Sequence, residues 1–380
     1  MKPRIKLAIA ITLLALILIS ACTSTTTPTG EVVQDQEEIK IGGAFALGAG
    51  FAAGWGEEER NGATLAIEEI NAQGGINGKK VRLDVEDTAG NQKDTVTAVR
   101  KLISIDNVEA IIGPTWMDTY SGATPLSDEH KIVMITPSAS ITAIKKQGDY
   151  PYVFSTYWRT DAETKSLAEH FSKTNKKRIV LFFESDAFWQ DIKEHFKKHS
   201  EKLNLEIVDD YTATYGETDF RTSLTKIKQQ KPDAVFFGVS ESKSNLAFLR
   251  QRLEISPDLV IYSTESISEY VKKDEHKPLM EGIRFIRPAD IDYEFVIKYF
   301  KKFGKKPLFS AANAYDATNI LLEAIKKSED KGTSLLEELR NNDFETITYG
   351  KTRFDSLQGL KGAEFVIKEV KDGKIIMLEE

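Results

Sequence analysis

The chain alternates between segments with a helical apolar period and segments with the pattern of β-strands. Within residues 60–87, apolar side chains recur at helical spacing, glycines mark a turn at residues 74–78, and an alternating strand runs from 81 to 85. The apolar positions of the predicted helix are Ala63, Ala66, Ile67 and Ile70. With the preceding strand at residues 39–41, this segment predicts a β-α-β unit whose loops at one sheet edge can hold a small molecule.

The same unit repeats along the chain in two arrays. Short continuous apolar runs between amphipathic helical segments indicate strands buried on both faces of a parallel sheet. The predicted strands are 39–41, 81–85, 110–112 and 132–135 in the first array, and 179–183, 206–208, 234–237 and 260–262 in the second. Two long amphipathic helices after residue 283 and a β pair joined at Asp372-Gly373 follow. The expected fold class is α/β, with two similar doubly wound parallel-sheet lobes.

The N-terminus has the organisation of an export signal. Basic residues at positions 2, 4 and 6 precede an apolar run, Leu7 to Ile19, whose 13 residues are fewer than the ~20 that a spanning helix needs. Ile19-Ser20-Ala21-Cys22 then fits the bacterial lipoprotein signal pattern. We predict that residues 1–21 are removed, that Cys22 carries a lipid, and that residues 22–38 form a flexible tether. The alternative is an uncleaved anchor helix beside a free cysteine.

Charge and composition narrow the classes of function. The 380 residues include 51 Lys+Arg and 58 Asp+Glu, a net charge of −7, and loss of the three N-terminal cations would make it −10. An acidic exported protein is poorly suited to bind nucleic acid. Cys22 is the only cysteine in the sequence, which excludes a disulfide within the chain. About 340 residues beyond the tether favour two domains.

Motifs spread over residues 39–378 resemble the periplasmic binding proteins of the leucine/isoleucine/valine type. They are EINAQGGINGKK at 69–80, AIIGP at 110–114, TPSAS at 136–140, YVFST at 152–156, YDA at 315–317 and FD at 354–355. The resemblance implies two lobes joined by a three-segment hinge. Lobe one would comprise 39–155 plus 287–345 and lobe two 158–284 plus 348–380, with crossings near 154–159, 282–288 and 346–350.

The resemblance also implies a function. Such proteins capture a small ligand, here an amino acid or related compound, and present it to the permease of an ABC importer without catalysis or cofactor. The expected partners are therefore the ligand, the permease and, through the lipid, the membrane. A ligand-sensing component of a chemotaxis or histidine-kinase system would use the same fold and is the alternative. A purely structural lipoprotein would show no saturable ligand.

The residues of two loops at the predicted sheet edge indicate how well each loop could bind an anion. Residues 136–140 follow a strand and precede a predicted helix, so free backbone N–H groups and the Ser138 and Ser140 hydroxyls are expected to face a carboxylate at the sheet edge. Simple helix capping by these serines is the alternative. In the loop 113–119, Asp118 is an expected N-cap whose charge makes that loop less attractive to an anion.

The resemblance places seven ligand-binding residues, which are Trp55, Met117, Ser138, Ser140, Phe188, Ser240 and Glu265. Met117, Phe188 and Ser240 replace a serine and two tyrosines of the family, so branched-chain specificity does not follow. Glu265 matches the acid that pairs with the ammonium group of the ligand. Ordinary packing remains the alternative for Trp55 and Phe188. Trp116 and Trp158 are further candidates for lining the site or hinge.

Enzyme hypotheses have weaker support. Residues 48–54 imitate a dinucleotide-binding glycine pattern, but acidic residues at 57–59 oppose a pyrophosphate there. His195 and His199 are four apart on a predicted helix among lysines, which is typical of a solvated helix face rather than a metal site. The sequence has no G-x-S-x-G motif, so we predict no catalytic residue, cofactor or metal.

Overall fold

A computed structural model describes residues 37–48, 51–116 and 119–378. The predicted signal peptide, Cys22, almost all of the tether, and Met117 lie outside the described residues. Two sheets organise the described chain, and each is covered by helices on both faces. In the part of the chain that is described, no helix is long and apolar enough to cross a membrane.

The first sheet contains five parallel strands in the order β2-β1-β3-β4-β5. The strands are β1 Ile39–Phe45, β2 Val81–Asp87, β3 Ala110–Ile112, β4 Val133–Thr136 and β5 Val153–Ser155. The helices between them are α1 Phe51–Ala72, α2 Gln92–Lys101, α3 Tyr120–His130 and α4 Ile141–Gln147. Side chains from both faces of the interior strand β1 enter cores, with Ile41 and Phe45 on one side and Ala44 on the other.

The second sheet repeats this plan and extends it. Its order is β14-β13-β10-β9-β8-β6-β7, with β13 and β14 antiparallel to their neighbours. The strands are β6 Arg178–Glu184, β7 Glu206–Ala213, β8 Ala234–Gly238, β9 Ile261–Thr264, β10 Arg284–Pro288, β13 Phe365–Lys371 and β14 Lys374–Met377. The helices are α5 Thr160–Lys173, α6 Ala187–Lys202, α7 Arg221–Gln230, α8 Ser242–Ile255 and α9 Lys277–Met280, with a 3₁₀ segment at Glu265–Lys272.

Three later helices cover the first sheet. They are α10 Tyr293–Phe303, α11 Phe309–Lys331 and α12 Leu335–Asn341. Leu321 and Ile325 of α11 enter the same core as Ile41 and Phe45, and Phe295 and Tyr299 of α10 pack beside Ala66 of α1. We call the first sheet with α1–α4 and α10–α12 the first lobe, and the second sheet with α5–α9 the second lobe. This architecture confirms the predicted α/β class with two parallel-sheet lobes.

The chain passes between the two lobes three times, and the third passage is later than predicted. The first lies between Ser155 and Thr160, and the second follows Pro288. The short strands β11 Phe344–Thr346 and β12 Gly350–Thr352 pair with each other. Phe354 and Leu360 then pack in the core of the first lobe, and Gly359 bridges to Ser155. The chain therefore leaves the first lobe after Leu360, because these apolar side chains complete its core, and not at residues 346–350.

Candidate functional site

A cavity lies between the carboxyl ends of the two sheets. Its lining residues are Trp55, Trp116, Ser138, Tyr157, Asp186, Phe188, Trp189, Val239, Ser240, Asn245, Ser266 and Tyr270. Each follows a parallel strand, which is where ligands bind in open α/β sheets. The cavity has a volume of about 80 Å³. The site is therefore built by both lobes and suits a compact ligand.

Aromatic rings form much of the cavity wall. Phe188 lies edge-on to Tyr157 and Trp189, with ring centroids 6.3 Å and 4.9 Å away. Trp189 is only 2% exposed and stacks on Phe183 in the core of the second lobe. A Cβ at Gly238 would lie 2.2 Å from the Trp189 ring, so the glycine that ends β8 makes room for this indole. The aromatic wall is thus fixed by the core beneath it.

A hydrogen-bonded chain holds a carboxylate at the second-lobe side of the cavity. The Trp189 indole N–H donates to Ser240 Oγ at 2.9 Å, and the Ser240 hydroxyl donates to Asp186 Oδ2 at 2.7 Å. Asp186 Oδ1 accepts the backbone N–H of Trp189 at 2.9 Å, as an N-cap of α6. These bonds orient Asp186 and Ser240 toward one another in the cavity wall.

A second carboxylate lies behind this chain at the end of β6. Glu184 Oε2 accepts the backbone N–H groups of Ser240 and Glu241, at 2.9 Å and 3.3 Å. Burial raises the pKa of Glu184, and these two donors oppose that rise. Asp186 therefore lines the second-lobe side of the cavity, and the acidic groups of Glu184 and Glu241 lie behind it next to Ser240.

The first-lobe side is arranged differently from the expected carboxylate-binding loop. Ser138 N–H and Ala139 N–H donate to Thr136 Oγ1 at 3.2 Å and 3.0 Å, and Ser138 Oγ accepts the Trp116 N–H at 3.0 Å. The prediction of free backbone N–H groups in this loop is wrong for Ser138 and Ala139, because the hydroxyl of Thr136, which ends β4, accepts a hydrogen bond from each of them. Ser138 still lines the cavity.

A buried carboxyl group supports this wall from behind. Glu59 of α1 is fully buried and accepts the Thr115 hydroxyl at 2.5 Å. Burial raises the pKa of Glu59 to about 7, although hydrogen bonds from Ser138 and Thr115 oppose the rise. The polar groups of the first-lobe wall are therefore largely bonded to each other.

The structure brings four of the seven predicted binding residues to the cavity, namely Trp55, Ser138, Phe188 and Ser240. Ser140 lies elsewhere: its Oγ is 2.7 Å from Thr142 Oγ1 and 3.1 Å from Thr160 Oγ1. Thr142 donates to Asp191 at 2.9 Å, and Thr160 also donates to Asp191. This buried network connects α4 of the first lobe with α5 and α6 of the second.

Glu265 is engaged by a cation of the chain itself. Its Oε2 lies 3.3 Å from Arg287 Nε, and its Oε1 accepts the Ser268 hydroxyl at 3.0 Å. Burial raises the pKa of Glu265 to about 7, and Arg287 opposes the rise. Among the described residues, Ser266 lines the cavity but Glu265 does not. Its predicted contact with a ligand ammonium stays a prediction.

Sequence reasoning missed several lining residues, chiefly Asp186, Trp189, Asn245, Ser266 and Tyr270. The position of Asp186, in a loop after a strand and two residues before Phe188, was a signal that could have identified it. An acid at that position is equally typical of an N-cap. Tyr157, which follows β5, also lines the cavity. Trp116 lines it too, while Trp158 packs against Phe309 with ring centroids 5.5 Å apart.

His195 and His199, the two histidines considered as metal ligands, lie near charged side chains of the protein. His195 Nε2 lies 3.4 Å from Asp191 Oδ1, next to the Ser140 network. Burial lowers the pKa of His199, and the charge of Lys202 lowers it further. Within the described ranges, no group of three or more His, Cys, Asp and Glu side chains could hold a metal ion.

Comparison with known proteins gives consistent matches over nearly the whole chain. Residues 38–374 match the family described as periplasmic binding protein. The chain is 27% identical over 348 residues to the Leu/Ile/Val-binding protein BraC3 of Rhizobium johnstonii, covering 89% of this chain and 93% of that protein. It is 26% identical over 340 residues to the leucine-, isoleucine-, valine-, threonine- and alanine-binding protein of Pseudomonas aeruginosa, covering 88% and 90%.

Solved structures agree with the fold. The branched-chain amino acid transporter substrate-binding protein LivJ of Streptococcus pneumoniae, in complex with isoleucine, has a TM-score of 0.78 at 25% identity and covers 89% of this chain and 98% of its own. A solute-binding protein from R. palustris in complex with benzoate has a TM-score of 0.76 at 20% identity, with 90% and 96% covered. Similar architecture therefore accompanies chemically different ligands.

Proposed function

Because this chain belongs to the periplasmic binding protein family, we propose that it captures a small polar ligand, an amino acid or a related compound, between its lobes and delivers it to an ABC importer. One observation carries the proposal: the cavity is walled by residues of both lobes at the carboxyl ends of their parallel strands. Full contact with a ligand then requires both walls, so closure about the three crossings completes the site.

We propose that Trp55 and Ser138 contact the ligand from the first lobe and Phe188 and Ser240 from the second. All four line the cavity. Met117 follows Trp116 in the chain and is kept as a predicted neighbour of the ligand. Ser140 has hydroxyl partners across the lobes, and we assign it to the interlobe contact instead.

We propose that the protein binds its ligand without transforming it. Ser138, Ser240 and Ser266 line the cavity, but among the described lining residues there is no histidine or lysine that could activate one of these hydroxyls. The Ser240 hydroxyl donates to Asp186 and accepts from Trp189, an arrangement that fixes its orientation. These features support binding and give no support to a nucleophile.

We propose that the mature protein is exported and held at the membrane by a lipid on Cys22. The support is the sequence Ile19-Ser20-Ala21-Cys22 after a short apolar run. Replacement Cys22→Ala should leave an unprocessed or soluble form, while the unaltered protein partitions with membranes. Unchanged partitioning with cleavage abolished would instead show an anchor helix.

The capture proposal is tested by a thermal-shift screen of the chain from residue 22 with Cys22→Ser, using amino acids, amides, aromatic acids and methylated amines. A ligand at 100 times Kd should add about 2.7 kcal/mol to the free energy of unfolding if it binds only the folded state. Trp55→Ala and Phe188→Ala should each weaken the ligand found. Loss of binding in only one of the two variants would contradict capture between both lobes.

A further inference from the structure

We propose that the cavity recognises an alkylated ammonium group, such as a methylated or quaternary amine, which lies against the aromatic wall and is neutralised by Asp186. The inference rests on the proposed function and names the ligand class for the same cavity. It differs from the sequence-based expectation, in which Glu265 pairs with an amino acid's ammonium group.

The aromatic content of the wall is the first reason. Half of the twelve lining residues that the structure describes are aromatic, namely Trp55, Trp116, Tyr157, Phe188, Trp189 and Tyr270. A cation is attracted to the face of such rings, most strongly to tryptophan, and desolvation increases the attraction. An alkylated ammonium has fewer N–H donors than a primary ammonium, and a quaternary ammonium has none. Ring faces therefore suit it better than a shell of hydrogen-bond acceptors. Rings contributed by both lobes can surround it after closure.

The charge of the lining residues is the second reason. Asp186 supplies a carboxylate, while none of the described lining residues is lysine, arginine or histidine. Glu184 and Glu241 lie directly behind Ser240. Burial raises the pKa of the lining residue Tyr270 to about 12, and the charges of Glu241 and Glu184 raise it further. The second-lobe wall therefore attracts a cation and repels an anion. A ligand recognised mainly by a carboxylate would meet this wall unfavourably.

The surroundings of Glu265 are the third reason. The Arg287 guanidinium lies 3.3 Å from its carboxylate and also lies over the Phe309 ring, 5.2 Å from the centroid. A ligand ammonium placed beside Glu265 would meet the positive charge of Arg287. Asp186 lies in the cavity wall among aromatic rings, where its carboxylate accepts the Ser240 hydroxyl. The recognition of a cationic nitrogen is therefore assigned to Asp186.

Calorimetry of the chain from residue 22 with Cys22→Ser tests the inference, with choline, its uncharged tert-butyl isostere, leucine and benzoate as probes. Choline should bind about 100-fold more tightly than the isostere, because only the charge distinguishes them. Asp186→Asn, which keeps an N-cap residue, should weaken choline about 10- to 100-fold. Asp219→Asn, at an exposed position of the same lobe, is the matched control and should leave choline affinity unchanged.

A second variant, which keeps the packing of the cavity wall, measures the contribution of one aromatic ring to choline binding. Phe188→Leu keeps apolar bulk and should weaken choline about 10-fold while changing isostere binding less than about 3-fold. Tight binding of leucine with no binding of choline would overturn the inference and leave the proposed function standing. Equal affinity for choline and the isostere, or binding of none of the four probes, would also overturn it. The broader thermal-shift screen then decides the proposed function separately.

Discussion

The two walls of the cavity come from lobes with the same plan but have different chemistry. In the first lobe, Thr136 accepts the N–H groups of Ser138 and Ala139, and the buried Glu59 takes the Thr115 hydroxyl. In the second lobe, Asp186 and Ser240 form an oriented pair beside the aromatic side chains. The same fold thus gives one wall whose polar groups bond mainly to each other and one wall with an oriented carboxylate at the cavity. We expect substitutions in the second wall to change affinity more than comparable substitutions in the first.

The largest expected effect comes from Phe188→Ala in the second wall. Phe188 packs against Tyr157 and Trp189 and faces the cavity, so its removal takes away ligand contact and loosens both neighbours. Affinity for the ligand identified in the screen should fall about 100-fold by calorimetry, a difference of about 2.7 kcal/mol. Tyr215→Ala, at an aromatic residue exposed to 71%, is the control. An equal loss in Trp55→Ala and Phe188→Ala would remove the asymmetry between the walls.

Glu265→Gln distinguishes Asp186 from Glu265 as the acid that selects the ligand. The substitution keeps a hydrogen-bond acceptor for Ser268 and removes the charge that faces Arg287. At pH 8, above the raised pKa of about 7, the ionised carboxyl is less favourable in the folded than in the unfolded chain, so the variant should be at least as stable to unfolding as the parent chain. Ligand affinity should change less than about 3-fold. A 10-fold weaker ligand with unchanged unfolding would restore Glu265 as the partner of the ligand's ammonium.

The fold was largely predictable because its strands are local apolar runs. Residues 179–183 and 234–237 read as buried strands and are the centres of β6 and β8. The third crossing was not predictable, because the partners of Phe354 and Leu360 lie far away in the sequence. The same applies to Ser140, whose partner Thr160 is on the other lobe. Asp186 was missed because an N-cap acid and an acid that lines a cavity have the same local sequence pattern. Asp186 is both the N-cap of α6 and a lining residue.

The pH dependence of stability reports on carboxyl groups buried near the hinge. Burial and the charge of Glu265 raise the pKa of Glu163 to about 8, and burial raises the pKa of Asp316 to about 7. A carboxyl whose pKa is higher in the folded than in the unfolded chain stabilises the fold most below its unfolded pKa of ~4.3. This stability is lost as pH rises through the folded pKa. The melting temperature of the empty protein should therefore fall between pH 5 and pH 9.

Glu163→Gln isolates one of these groups. The variant cannot ionise, so its melting temperature should fall less between pH 7 and pH 9 than that of the parent chain, and it should be the more stable of the two at pH 9. Differential scanning calorimetry across this range is the measurement. Glu201→Gln, at an exposed position in the second lobe, serves as the comparison. Identical slopes in the parent and Glu163→Gln would show that this carboxyl does not titrate there.

The smallest expected effect is that of Ser140→Ala in the interlobe contact. Removal of the hydroxyl leaves Thr142 and Thr160 with their hydrogen bonds to Asp191. The free energy of unfolding should fall by about 1 kcal/mol, measured by denaturant titration. Ligand affinity should change less than about 2-fold. A 10-fold weaker ligand would return Ser140 to the binding site and extend the selective surface into the first lobe.

The most direct test of the account is the distance between the two lobes with and without ligand. Spin labels at Lys93→Cys and Lys243→Cys, in the chain with Cys22→Ser, occupy exposed positions near the starts of α2 and α8, one in each lobe. The pair Lys226→Cys and Lys243→Cys lies within the second lobe and is the control. Saturating ligand should shorten and narrow the interlobe distance distribution and leave the control unchanged. An unchanged interlobe distribution at saturating ligand would contradict capture by closure.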